Sequence, residues 1–111
     1  MAEILILKRG KNMHSQEVRV DPENINPGDR VRIDYNGLLA KSGAHKVYLH
    51  QGISRGDSWD NVRDIEMRYE DGRWTTETEV EEADKFNFCF KDCANNWDNN
   101  SGYNWSYQIR D

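Results

Sequence analysis

Two tryptophans, a histidine and a run of short amides are the residues whose types and spacing could do chemistry in this chain. Trp97 lies in Asn95-Asn96-Trp97-Asp98-Asn99-Asn100-Ser101-Gly102, directly after the alternating segment Phe86-Asn87-Phe88-Cys89-Phe90-Lys91-Asp92. By the two-residue period of a strand, Phe86, Phe88 and Phe90 share one face and read as core, whereas Trp97 falls outside the alternation. Asparagine and aspartate beside an indole either fix loop geometry or exchange hydrogen bonds with vicinal hydroxyls. A ring to stack on with polar neighbours to orient a ligand is a sugar-binding arrangement. Asn96, Asp98 and Asn100 are its candidate polar contacts, and residue type leaves open which of them touch ligand and which build the loop.

Trp59 closes the loop Gly52-Ile53-Ser54-Arg55-Gly56-Asp57-Ser58, whose glycines suit unusual backbone angles that could hold a ring up. The alternative for Trp59 is a ring folded back onto the end of the core. Upstream, Val47 and Leu49 alternate with Tyr48 and His50; if the aliphatic pair faces inward, Tyr48 and His50 face out and join the candidate site. Trp74 and Trp105 are in phase with core positions of their own strands and read as structural.

The elements that must position these residues are short strands. Asn26-Pro27-Gly28-Asp29 precedes the alternating Val31, Ile33 and Tyr35, which Asn36-Gly37 closes. Ile65, Met67 and Tyr69 alternate up to the hairpin signal Glu70-Asp71-Gly72, which leads into Arg73-Trp74 and on to Val80. The phenylalanine strand follows, then Trp105, Tyr107 and Ile109. With Ile4–Leu7 and Val18–Val20 in front, about eight strands are expected, in an all-β, immunoglobulin-like antiparallel sandwich. No window shows a helical period. Residues 1–111 read as one domain, without repeats or linkers.

Composition narrows the function. A chain of 111 residues with 11% aromatics can bury a single core. A net charge of −5 argues against nucleic acid as partner, and no apolar stretch is long enough to span a membrane. The short Ile4–Leu7 run follows Glu3 and lacks the basic flank of a signal peptide. The expected location is cytoplasmic if the chain is complete, or extracellular if it is a domain excised from a longer protein. Cys89 and Cys93 are too few for a disulfide framework or a zinc site; the alternatives are a Cys89–Cys93 bridge at a strand end and two free thiols, of which the free thiols are expected.

Taken in order, Val47-Tyr48-Leu49-His50-Gln51-Gly52, Trp59, Met67, Asp71-Gly72-Arg73-Trp74, Phe88-Cys89-Phe90-Lys91-Asp92 and Asn96-Trp97-Asp98-Asn99-Asn100-Ser101-Gly102 resemble a starch-binding carbohydrate-binding module of family 25, to which the family 53 modules of starch synthases are related. The resemblance covers about residues 27–109. It implies an immunoglobulin-like sandwich that binds α-1,4-glucan (starch, glycogen or maltooligosaccharides) without catalysis or cofactor, beside a parent or partner amylase or starch synthase. The two tryptophans and one histidine of the family's platform carry over onto Trp59, Trp97 and His50. Gln51 departs from an aromatic common at that place, and Cys93-Ala94 from glycine-rich turn residues.

Three other readings compete. Glycoside hydrolysis needs two carboxylates flanking a bond, but Glu77, Glu79, Glu81 and Glu82 read as a solvated face. Asn96, Asp98 and Asn100 imitate the start of a calcium loop, yet Ser101 and Tyr107 stand where the glycine and bidentate glutamate belong, and His14, His45 and His50 lack ligand spacing; no metal is expected. A sandwich that binds protein would use Trp59 and Trp97 as hot spots instead.

Overall fold

The computed structural model describes residues 17–110. Among the described residues, nine strands and one short helix follow in chain order: β1 (Val18–Asp21), β2 (Arg30–Tyr35), α1 (Leu38–Lys41), β3 (Val47–Ser54), β4 (Trp59–Glu66), β5 (Arg68–Glu70), β6 (Arg73–Glu79), β7 (Lys85–Asp92), β8 (Trp97–Asp98) and β9 (Trp105–Gln108). The expected strand at Ile4–Leu7 lies outside the described residues. All strand pairs are antiparallel, in two sheets ordered β1-β2-β6-β5 and β4-β3-β7-β8. β3 takes one edge of β7, while β8 and β9 take successive stretches of the other: Lys91 opposes Trp97, and Phe88 opposes Trp105. The 99–104 loop bulges out between them. This is the all-β sandwich expected from the alternation.

The core is where strand phase put it. Val31, Ile33 and Tyr35 of β2, Val47 and Leu49 of β3, Trp74 of β6, and Phe86, Phe88 and Phe90 of β7 are all buried. Trp105 departs from expectation. It stacks near-parallel on Phe88 at 5.9 Å and meets Phe90 edge-on at 5.2 Å, yet it is only half-buried because β9 is a sheet edge. Two turn signals also diverge. Asp71-Gly72, both at positive φ, make the tight β5–β6 hairpin. Asn36-Gly37 make no hairpin: the chain passes through α1 and crosses to the other sheet.

Tyr35 joins the two layers. Its ring stacks on Phe90 of the facing sheet at 3.9 Å, its hydroxyl donates to Asp98 Oδ2 at 2.6 Å, and it accepts from the Leu39 amide at 3.0 Å. Tyr35→Phe keeps the stack and strands a carboxylate oxygen and an amide N–H. It is expected to lose about 1–3 kcal/mol in urea unfolding; a parent-like midpoint would show that the hydroxyl contributes nothing.

Candidate functional site

The outer face of the β4-β3-β7-β8 sheet gathers the candidate residues through its register. His50 opposes Asp64 on one side and Cys89 on the other; Tyr48 opposes Lys91, which in turn opposes Trp97. Trp59 and Trp97, 38 residues apart in the chain, flank His50 from opposite sides. Ring centroids are 6.0 Å apart for Trp59 and His50, tilted by 31°, and 5.0 Å for Trp97 and His50, at 89°. The two indole planes are therefore steeply inclined to each other, by no less than the difference between those tilts. Trp97 is 46% exposed, and Trp59, His50 and Tyr48 are half-buried.

Trp59 reaches this face because of a bulge. Gln51 opposes Arg63 but Ile53 opposes Asp60, so β4 carries one residue more than β3 across this interval. Asn61 takes a left-handed φ of 52° there. The extra residue reverses the alternation, so odd-numbered Trp59 lands on the same face as even-numbered Asp64. Its ring then lies against Gly52: a Cβ added to Gly52 would stand 3.1 Å from Trp59 Cε3 and from Val62 Cγ2, and 3.2 Å from the Asp60 carbonyl.

Trp97 reaches it through the opposite device, an unbroken alternation over two residues. Asp98 turns inward to Tyr35, so Trp97 turns out. The preceding turn is wound around Asp92, whose carboxylate accepts from the Ala94 amide, the Asn96 amide and the Asn96 side chain at 2.8–2.9 Å. The Asn100 amide donates to Asp98 at 3.4 Å, and the Asn100 side chain donates to the Asn104 carbonyl at 3.0 Å. Asn95, Asn100, Ser101 and Asn104 all sit at positive φ, which asparagine tolerates well. Asn96, Asp98 and Asn100 thus each spend polar atoms on the loop. Asp98 and Asn100 line an open groove with Leu38, Lys41 and Trp105.

Sequence reasoning missed three members of this face. Lys91 Nζ lies 5.3 Å from the Trp97 ring centroid and 6.0 Å from that of Tyr48. Asp64 Oδ1 is 2.6 Å from His50 Nδ1, and its Oδ2 is 3.3 Å from Lys91 Nζ. Burial raises the Asp64 carboxyl, but the His50 and Lys91 partners outweigh it and hold the group below the usual carboxylate range. Cys89, which opposes His50, is buried although it faces outward; burial, helped by the Asp64 and Asp98 charges, pushes its thiol up to about 11. Lys91 and Cys89 were legible from the phase of β7; Asp64 was not, because its place depends on the register of β4. Both cysteines are free. Gln51 faces inward opposite Phe88 and is buried, so its departure from an aromatic changes packing rather than the exposed face. Among the described residues, no group of three or more His, Cys, Asp and Glu could hold a metal ion, and no helix is long and apolar enough to cross a membrane.

Two predictions follow from how the rings are held. Gly52→Ala forces the Trp59 ring to give by a few tenths of an ångström; the Trp59 indole N–H resonance should shift while those of Trp74 and Trp105 stay. An unmoved Trp59 signal would remove Gly52 from the site. The Asp92 carboxyl is held below the usual range by the Asn96 side chain, then by the Asn96 amide, with Ala94 adding to them against burial. A depressed folded value gives stability that is full above the ordinary carboxyl range of about 4 and lost as pH falls through the lower folded value. Thermal melts should show that acid loss in the parent and a smaller one in Asp92→Asn, which should also be less stable at neutral pH. Equal acid slopes would refute this role.

The model of the starch/carbohydrate-binding module family 53 matches residues 31–88, just over half of the chain. That span runs from β2 into β7 and includes Tyr48, His50, Trp59 and Asp64. It stops short of Trp97, so the asparagine-rich run that drew the comparison with family 25 lies beyond it. Family 53 is the family matched, rather than family 25. No curated protein and no solved structure matches the chain. A matched span that covers most of both sheets, in a two-layer antiparallel sandwich with an aromatic cluster on its outer face, makes this chain a member of the starch/carbohydrate-binding module family 53.

Proposed function

We propose that the chain binds α-1,4-linked glucan without catalysis, on the outer face of the β4-β3-β7-β8 sheet. Trp59 and Trp97 stack on neighbouring glucose units and His50 hydrogen-bonds a hydroxyl between them. The observation that carries this reading is the steep mutual inclination of two indoles that flank one imidazole. A pyranose offers a face of C–H groups that packs on an indole through burial and weak C–H contacts. Successive glucoses of an α-1,4 chain turn relative to one another, so inclined rings suit them, whereas a flat β-1,4 ribbon asks for coplanar rings. The charge balance supports a neutral ligand: the Asp64 carboxylate is offset by Lys91 beside it. The same reading gives the module an amylase or starch synthase as parent or partner, which it would hold on its substrate.

Stacking on an aromatic is worth about 1–3 kcal/mol per ring by analogy with base–aromatic pairs. Trp97→Ala should therefore weaken maltoheptaose binding by about tenfold or more, with little change in melting temperature because the ring is 46% exposed. Tryptophan fluorescence titrated with maltoheptaose, cellohexaose and laminarihexaose should respond to the α-linked oligomer alone. Parent-like retention on insoluble starch by the Trp59→Ala, Trp97→Ala double variant would overturn the assignment, as would a Trp97→Ala protein that melts far below the parent.

A further inference from the structure

The Asp64 carboxylate is shared between two neighbours on the outer face, with Oδ1 2.6 Å from His50 Nδ1 and Oδ2 3.3 Å from Lys91 Nζ. An ionised carboxylate only accepts hydrogen bonds, so the ring nitrogen facing it must carry the proton. In the neutral imidazole this leaves Nε2, across the ring, with a lone pair and no hydrogen. The same carboxylate tethers the Lys91 ammonium, which lies close to the Tyr48 and Trp97 rings and has three donors, more than Asp64 can use alone. His50 and Lys91 are on adjacent strands and both face outward, two residue pairs apart along the ladder.

We infer that Asp64 is the positioning residue of this site: it fixes His50 as the Nδ1–H tautomer, so that Nε2 accepts from a ligand hydroxyl, and it holds Lys91 as the neighbouring donor. The face then reads a specific polarity. A ligand must offer one hydroxyl that donates to Nε2 and a nearby oxygen that accepts from Lys91, which a vicinal diol on one glucose provides and an O-alkylated or deoxy sugar at that position does not. The inference rests on the glucan reading for its ligand, but its first step concerns the ligand-free protein. Asp64 touches no sugar in this scheme; it acts through His50 and Lys91.

The test has a readout for each step. Long-range ¹H–¹⁵N spectra of the free protein, at a pH where the His50 nitrogens report a neutral ring, should show the Nδ1–H tautomer. Asp64→Ala should shift it toward the Nε2–H form that imidazole prefers on its own, and Asp64→Glu should restore Nδ1–H. By calorimetry, Asp64→Ala should lose about tenfold in maltoheptaose affinity, the scale of one charge-assisted hydrogen bond, at an unchanged melting temperature. Lys91→Met, which keeps the stem near both rings, should keep the tautomer and still weaken binding. An Nε2–H ring in the parent overturns the inference, as does an Asp64→Ala protein that switches tautomer yet binds as the parent does. If the parent binds no maltoheptaose, the glucan reading fails, while the tautomer spectra still decide whether Asp64 sets the ring.

Discussion

The hydrogen bond from Tyr35 to Asp98 is the interaction on which the arrangement of this molecule turns. Tyr35 belongs to one sheet and Asp98 to the edge of the other, so their 2.6 Å contact ties the layers together at the end where the site lies. Burial, reinforced by the hydrogen bond to the Asp98 carboxylate, raises the phenol far above its ordinary range, so it stays a neutral donor. The contact tolerates nothing beneath it. A Cβ on Gly37 would come within 2.7 Å of the Tyr35 ring and 3.1 Å of Asp98 Oδ2, and Gly37 serves here by its lack of a side chain rather than by a special φ. Once Asp98 is committed inward, strand geometry commits Trp97 outward. A core interaction thereby dictates the exposure of Trp97.

The legible parts of this structure were those set by local alternation. Phe86, Phe88 and Phe90 had to share a face whatever their partners, and much of the sandwich core followed from such runs, though not Ile25 or the helical Leu39. Tyr48 and His50 could be placed outside for the same reason. What failed to be legible depended on pairing between distant segments. The bulge that brings Trp59 round to the face of His50 is a mismatch between β3 and β4, and neither strand announces it alone. Nothing in its own strand marks Asp64; only the register sets it opposite His50. Trp105 had a core phase but an edge position, and phase says nothing about how many strands flank a residue. Asn36-Gly37 carried a hairpin signature because the same small residue serves a tight turn and a close packing contact.

The division between loop-builders and exposed rings has an energetic logic. Asparagine is plentiful in the 95–104 segment because five of its residues, three of them asparagine, sit at positive φ, and short amides both accept that backbone and satisfy it. Sequence alone cannot separate an amide that waits for a sugar from one that holds a turn, since both uses select the same side chain. The hydrogen bonds of Asp92, Asp98 and Asn100 show which atoms hold the turn.

What results is a face whose parts are held before any ligand arrives. Trp59 rests on the bare backbone of Gly52, His50 is pinned by Asp64 and wedged between two indoles, and Lys91 is tied at one end to Asp64. Ordering a side chain at an interface costs about 0.5–1.5 kcal/mol, comparable to what one stacking contact returns, so a platform assembled in advance keeps most of that return. This matters most for a polysaccharide, whose hydroxyls lose bonds to water for nearly every bond they gain. On the glucan reading proposed above, binding strength would then depend also on what stands behind the rings: the missing side chain at Gly52, the carboxylate of Asp64, and the Tyr35–Asp98 pair that keeps Trp97 turned toward solvent.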